Sequence, residues 1–218
     1  MITLFQHGKD EPAGEIENYL RERQVPFAIN RLYETGAVPE ELPPALIILG
    51  GQMSVNDTDD YPFFLNEKRM IRRMVAAGKP VLGVCLGAQM IASAFRRQVF
   101  RDTREQGWVT VHGCGKESSP LFPRTFTVFH WHNETFTLPA GAVLLARGDS
   151  IENQAFRLGS AVGVQYHPEV NREIISRWAG ALGPDEKKEM LRESEEYAMM
   201  NREHCHTLMD HFLGGWNP

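Results

Sequence analysis

The chain has 218 residues, of which 42% are hydrophobic, and a formal net charge of −5. This length supports one well-covered core and is short for two. Because the charge is acidic and no basic stripe occurs, neither nucleic acid nor an anionic membrane is expected as the main partner.

The cysteines and the N-terminal residues indicate where the protein works. Cys85, Cys114 and Cys205 are an odd number at spacings typical of neither disulfides nor zinc sites, which favours free thiols in a reducing compartment. The sequence begins with an apolar stretch that lacks a signal-peptide pattern, and no run of 18 apolar residues occurs. We therefore expect a soluble, cytoplasmic protein.

Strands and helices alternate through the first half of the chain. Residues 2–6, 26–29 and 45–49 are short apolar stretches typical of strands, whereas residues 15–20 and 63–77 have the apolar spacing of amphipathic helices. This alternation predicts a parallel sheet covered by helices. In such folds, sites collect at the carboxyl ends of the strands.

The third predicted strand runs directly into Gly50 and Gly51. Paired glycines at the carboxyl end of a strand let backbone amides face a cleft, as an oxyanion hole requires. A glycine turn that merely ends the strand is the alternative, and this pair taken alone favours it.

A Gly-x-Cys-x-Gly segment is centred on Cys85. Residues 81–84 are predicted as a buried strand and residues 90–95 as part of a helix, so Gly83 and Gly87 flank a strand-to-helix turn of the nucleophile-elbow type. The turn places Cys85 at a helix N-terminus, which favours its thiolate. An inert buried cysteine is the usual interpretation of an isolated one, and a nucleophile also needs a base.

The second half of the chain predicts further strands. Residues 99–101 and 108–111 alternate like exposed strands around a predicted turn near residues 106–107, and residues 125–129 and 142–146 are two more apolar strands.

Residues 130–135 are predicted as a polar and aromatic loop, which contains His130 and His132. Two neighbouring histidines suggest a metal site, but no third ligand follows at a fitting spacing, so we expect no metal. A loop that faces substrate, or a hydrogen-bonded turn, is favoured instead.

A candidate base lies in the Tyr-His-Pro-Glu segment that follows a predicted hairpin of residues 155–165. His167 and Glu169 are two residues apart, so their side chains lie on one side of an extended segment. Glu169 can therefore hold the imidazole of His167 in the tautomer that a base requires. The alternative is that Glu169 is an ordinary acid in the first turn of the helix predicted from Asn171.

The last 35 residues are charged and helical. Cys205, Leu208 and Phe212 share one helical face, which predicts a packing surface rather than an active-site cover or a dimer contact. We expect one domain over residues 1–183 and a helical extension, residues 184–218, packed on that domain.

Together, the Gly-Gly pair, the cysteine segment through Gln89 and the His-Pro-Glu segment resemble the class I glutamine amidotransferase family. The resemblance covers about residues 1–180. Residues 50–57 and 131–136 are similar to its free-standing GMP-synthase-like branch. The resemblance implies an α/β fold, a flavodoxin-like three-layer sandwich whose mostly parallel sheet has helices on both faces and a small antiparallel extension.

The resemblance also implies a catalytic triad, in which Cys85 is the nucleophile, His167 the general base and acid, and Glu169 the residue that orients the imidazole. No metal or other cofactor is implied. The implied oxyanion and substrate-binding residues are Gly51 and Leu86, through their backbone amides, and Gln89, Trp131 and His132.

One segment departs from that branch, because His132-Asn133-Glu134 stands where His-Gly-Asp is usual, so the substrate there can differ. No ATP-pyrophosphatase segment is present, so we do not expect the chain to make GMP by itself. Hydrolysis of glutamine or a γ-glutamyl compound ranks first, and a glutaminase subunit for a separately encoded synthetase ranks second. A redox-sensor or chaperone-like protein is disfavoured because His167 and Glu169 are present, and an inactive binding module because no triad residue is lost.

Overall fold

The computed structural model describes residues 1–115 and 121–214. Residues 215–218 of the predicted extension therefore lie outside the described residues. The strands are β1 Ile2–Gln6, β2 Phe27–Arg31, β3 Leu46–Ile48, β4 Val81–Val84, β5 Val99–Gly113, β6 Phe126–Phe136, β7 Val143–Gly148, β8 Ala155–Leu158 and β9 Ala161–Val164. The helices are α1 Gly14–Glu22, α2 Leu32–Thr35, α3 Phe63–Ala76, α4 Leu86–Ala94, α5 Arg172–Trp178 and α6 Pro184–Leu213.

The strands form one sheet in the order β2-β1-β3-β4-β9-β8-β7-β5-β6. The pairs from β2 through β9 are parallel, and those from β9 through β6 are antiparallel. The predicted α/β fold is confirmed, with an antiparallel part built from β5, β6, β7 and β8. Strands β3, β4 and β9 bring the glycine pair, Cys85 and His167 to the same edge of the sheet.

Apolar side chains cover both faces of the parallel part. On one face, Ile16 and Tyr19 of α1 share a core with Leu208 and Phe212 of α6. On the other face, α3 and α4 bury a second core, which contains Ile71 and Met90 among others. The sheet therefore lies between two layers of helices. None of the helices in the described ranges is long and apolar enough to cross a membrane.

The turn predicted near residues 106–107 is wrong, because β5 runs through it as one strand. Gly107 takes a φ of +92°, which a glycine adopts without strain, and still pairs with His130 on β6. The pairing shifts between Arg101 and Glu105, and this irregularity interrupts the regular alternation of β5.

The predicted loop at residues 130–135 is also wrong, because these residues belong to β6. Their polar side chains suggested a loop, but those of His130 and His132 are buried by the fold and contact the buried carboxylate of Glu105 on β5. The polar pattern thus reflects a polar cluster inside the protein rather than solvent.

Candidate active site

The strand-to-helix turn at Cys85 has the predicted elbow geometry. Cys85 lies between β4 and α4 with φ 49° and ψ −105°, a conformation that is strained for a residue with a side chain. A Cβ on Gly83 would lie 2.5 Å from the carbonyl of Gly87, and one on Gly87 would lie 2.2 Å from the carbonyl oxygen of Ile48. Glycine is therefore required at both positions because the backbones approach so closely.

His167 and Glu169 form a buried pair just beyond β9. The Nδ1 of His167 lies 2.7 Å from Oε1 of Glu169, and the backbone amide of His167 donates to the carbonyl of Phe129 at 2.7 Å. Burial alone would lower the pKa of His167, but the charges of Glu169 and Cys85 outweigh it and hold that pKa well above its ordinary value. Both charges favour an imidazolium that can protonate a leaving group.

Gly50 lies against His167 and Cys85, and Gly51 lies against Leu86. A Cβ on Gly50 would be 3.1 Å from Cε1 of His167 and 3.8 Å from Cβ of Cys85. A Cβ on Gly51 would be 2.6 Å from Cδ2 of Leu86. The Gly50 backbone therefore lies next to the side chains of Cys85 and His167, and a side chain at position 51 would collide with Leu86.

A chain of amide side chains connects Cys85 to β6. Gln165 donates from Nε2 toward Sγ of Cys85 at 3.7 Å, and Gln89 donates to Oε1 of Gln165 at 3.3 Å. Gln89 also donates to the backbone carbonyl of Glu134 at 3.0 Å. Gln165 was not predicted from the sequence, although it precedes His167 by two residues on the same extended segment.

A cleft of about 840 Å³ opens above these groups. Its lining includes most of the site residues predicted from the sequence, namely Gly51, Cys85, Gln89, Trp131, His132 and His167. It also includes residues that the sequence patterns did not indicate, namely Glu11, Arg101, Arg104 and Trp178. Leu86 and Glu169 lie behind the cleft wall and are buried. Trp178 meets the His167 ring edge-on, with centroids 5.0 Å apart.

Glu11 is a buried carboxyl group in this cleft. Burial raises its pKa, Gln52 lowers it through a hydrogen bond, and neighbouring Asp10 raises it again, so that the net shift is upward. An acidic group that is poorly solvated gains from a cationic partner. Glu11 is therefore a candidate to bind a positive charge on a substrate.

Glu105, His130 and His132 converge next to the cleft, so the third ligand that sequence spacing did not reveal is supplied by strand pairing. Burial alone would raise the pKa of Glu105, but its close contacts with His130 and His132 hold that pKa well below its usual range. Burial lowers the pKa of His130 to about 4. These groups offer two imidazoles and one carboxylate to a cation.

Comparisons with known proteins identify relatives over most of the chain. The chain is 27% identical to the glutamine amidotransferase-like protein YfeJ of Salmonella typhimurium, over 97% of this chain and 95% of that protein. It is 35% identical to one subunit of a glutamine-hydrolysing GMP synthase from Methanococcus maripaludis, over 78% of this chain and 88% of that protein. A glutamine amidotransferase crystal structure from Thermotoga maritima superposes with a TM-score of 0.87 at 29% identity, covering 97% of this chain and 96% of that one.

The sequence profile of the class I glutamine amidotransferases matches residues 13–174, a range that contains the elbow cysteine, the glycine pair and the His-Pro-Glu segment. This match covers well over half of the chain. The chain belongs to the class I glutamine amidotransferase family.

Proposed function

We propose that the protein hydrolyses glutamine or a γ-glutamyl amide or peptide through a γ-glutamyl thioester on Cys85. The observation that carries this proposal is the convergence of Cys85, His167 and the Gly50–Gly51 pair at one end of the cleft. A thiolate, an imidazole and a closely approaching backbone are the three parts that acyl transfer requires.

In the first half of the reaction, the Cys85 thiolate attacks the side-chain amide carbon of the substrate. The resulting oxyanion is stabilised by the backbone amides of Gly51 and Leu86, the latter at the first position of α4. The imidazolium of His167 then protonates the departing ammonia or amine as the C–N bond breaks.

In the second half, the neutral imidazole of His167 takes a proton from water, which attacks the thioester and releases the γ-glutamyl product as a carboxylate. Glu169 accepts a hydrogen bond from Nδ1 throughout, which keeps Nε2 available for proton exchange. The reaction consumes only the substrate and one water molecule, and it regenerates the Cys85 thiolate and the His167 imidazolium.

The size and charge of the cleft support substrates larger than free glutamine. At about 840 Å³ the cleft exceeds the volume that a single amino acid fills, and its lining offers the exposed cations Arg101 and Arg104 as well as the buried acid Glu11. A γ-glutamyl peptide carries one ammonium group and two or more carboxylates, which suits this mixture of charges. Trp131 and His132 fit the role of substrate-binding residues because both line the cleft.

The test is a panel of γ-glutamyl substrates assayed with the purified protein alone, with release of ammonia, amine or glutamate as the readout. We expect at least one compound to be turned over, and Cys85→Ser to abolish that turnover without changing the circular dichroism spectrum. An inactive wild-type protein across the whole panel would refute independent hydrolysis.

A glutaminase subunit that supplies ammonia to a synthetase is the second candidate. It is favoured by the similarity to the Methanococcus maripaludis protein, which is named as one subunit of a GMP synthase. If the wild-type protein proves inactive across the panel, the synthetase subunit of a GMP synthase is added to it. Glutamine hydrolysis that appears only in that mixture would support the second candidate.

A further inference from the structure

Glu105, His130 and His132 are brought together by the pairing of two strands. Glu105 on β5 lies directly opposite His132 on β6, and His130 precedes His132 by two residues, so that both imidazoles lie on one face of β6. At most 4% of any of these side chains is exposed. The cluster is therefore buried and is held by the pairing of β5 with β6.

The three donor atoms form a nearly equilateral triangle. Oε2 of Glu105 lies 3.3 Å from Nδ1 of His130 and 3.1 Å from Nε2 of His132, and the two nitrogens are 3.2 Å apart. Two ligands on a tetrahedral zinc ion, each at about 2.0–2.1 Å from the metal, are about 3.3 Å apart. The spacing of the three atoms therefore suits one small cation that contacts them all.

The hydrogen bonds around the cluster determine which atoms carry protons. The Glu134 carbonyl can only accept, so the Nδ1 of His132, 3.1 Å away, must donate to it. In the neutral ring, Nε2 then presents a lone pair to the Glu105 carboxylate. Two buried acceptors at this distance repel each other unless a positive charge lies between them.

Neighbouring groups already hold two of the three ligands in the way that metal sites require. His132 donates its distant N–H to the Glu134 carbonyl, and Gln154 donates from Nε2 to Oε2 of Glu105 at 2.8 Å. We propose that Glu105, His130 and His132 form a binding site for a divalent cation of the zinc class. Two imidazoles and one carboxylate are a donor set that zinc accepts, and three protein ligands leave a position for water.

Such a site would position the active centre without taking part in the chemistry. The Glu134 carbonyl that accepts from His132 also accepts from Gln89, and Gln89 contacts Gln165, whose amide reaches Sγ of Cys85. A cation would fix the β5–β6 pairing at this point and with it the carbonyl that anchors Gln89. Because His132 and Glu134 line the cleft, an ion can enter from there.

The experiment measures metal binding rather than activity, in a Cys85→Ser background that removes the catalytic thiolate as a competing ligand. The protein is stripped with a chelator and titrated with Zn²⁺ against a coloured competitor, and with Co²⁺ followed by visible absorption. We expect the protein to bind one equivalent of zinc per chain. The visible spectrum of bound Co²⁺ should be typical of an ion with a low coordination number. Glu105→Gln and His132→Asn should each weaken zinc binding by at least about tenfold.

The matched control is His112→Asn, because His112 is a histidine with an acidic neighbour, Asp149 at 3.4 Å, outside the cluster. This variant should bind zinc as tightly as the parent protein, which carries Cys85→Ser alone. The proposal is overturned if the parent binds well below one equivalent, or if the cluster variants bind as tightly as the control. If a proton rather than a metal holds the cluster, the parent will take up no zinc, and Co²⁺ will give only the spectrum of the free ion. Circular dichroism on each variant separates lost binding from lost folding, and His130→Asn replaces any variant that does not fold.

Discussion

The side-chain amide of Asn201, in the middle of α6, donates to the backbone carbonyl of Pro168 at 3.0 Å. The same nitrogen lies 3.2 Å from the carbonyl of Val170, so it contacts the carbonyls on both sides of Glu169. Asn201 is fully buried. The C-terminal helix therefore holds the segment that carries His167 and Glu169, in addition to covering the sheet.

Replacing Asn201 with alanine should reduce turnover although the residue does not touch the cleft. The two carbonyls would lose their donor, and displacement of the imidazole by about 1 Å can cost on the order of 10²-fold in rate. We expect kcat to fall by about 10- to 100-fold with a smaller change in KM. Met200→Ala, at a half-exposed neighbouring position, is the control and should behave like wild type. Unchanged kcat in a folded Asn201→Ala protein would contradict a positioning role.

Local signals predicted much of the fold and the catalytic core. The strained turn at Cys85 needs glycine on both sides, so its geometry is visible in a few consecutive residues. The His167–Glu169 pair is likewise local, being two residues apart on one segment. Contacts between distant segments could not be predicted in this way. The alignment of Glu105 with His132 depends on strand register, and the contact of Asn201 with Pro168 on where a long helix docks.

The three thiols should differ sharply in reactivity. Burial raises the pKa of Cys205 well above its usual value, and Cys114 is exposed with a pKa that is also raised by partial burial. A glutamine-mimicking chloroketone should therefore label Cys85, whereas a maleimide should reach Cys114. Peptide mapping by mass spectrometry gives the sites, and excess substrate should protect Cys85 alone. Chloroketone labelling chiefly at Cys114 or Cys205 would remove Cys85 as the nucleophile.

Replacing His167 should cost more than replacing Glu169, because only the imidazole exchanges protons with the substrate. We expect His167→Ala to lower kcat on the order of 10³-fold or more, and Glu169→Gln to lower it less. Since Glu169 raises the pKa of His167, its removal should also move the alkaline fall in activity to lower pH. His112→Asn is the control in both pH profiles. A His167→Ala enzyme as active as that control would refute the triad.

Glu11 should bind the α-ammonium group of the substrate. With Glu11→Gln we expect KM to rise about tenfold and kcat to change little, since a hydrogen bond to a charged group contributes roughly 1.5–3 kcal/mol. Asp59→Asn, an exposed acid outside the cleft, should leave both constants unchanged. Glutaramate, which lacks the α-ammonium group, should be hydrolysed equally by wild type and Glu11→Gln. If Glu11→Gln impairs the hydrolysis of glutaramate as much as that of glutamine, Glu11 has a structural role instead.

His204 should make the protein less stable in mild acid. Its ring lies against Phe126, its Nε2 is hydrogen-bonded to the hydroxyl of Tyr166 at 2.8 Å, and burial lowers its pKa from 6.5 to about 4. Between these two pH values the unfolded chain binds a proton at this position that the folded chain does not. The free energy of unfolding must therefore decrease as pH falls, by about 1.4 kcal/mol per pH unit for this one group.

Above pH 6.5 both states hold the neutral ring, so His204 adds no pH dependence there. His204→Gln cannot titrate but retains a side chain that can hydrogen-bond with Tyr166. Urea unfolding at pH 7 and pH 4.5 should show that the wild type loses about 2 kcal/mol more than His204→Gln between these pH values. The control is His211→Gln, at a partly exposed position on the same helix. Its free energy of unfolding should fall as much as that of wild type between the two pH values. If the free energy of unfolding falls equally in wild type and His204→Gln, His204 is protonated in the folded protein at pH 4.5 and its pKa is not lowered.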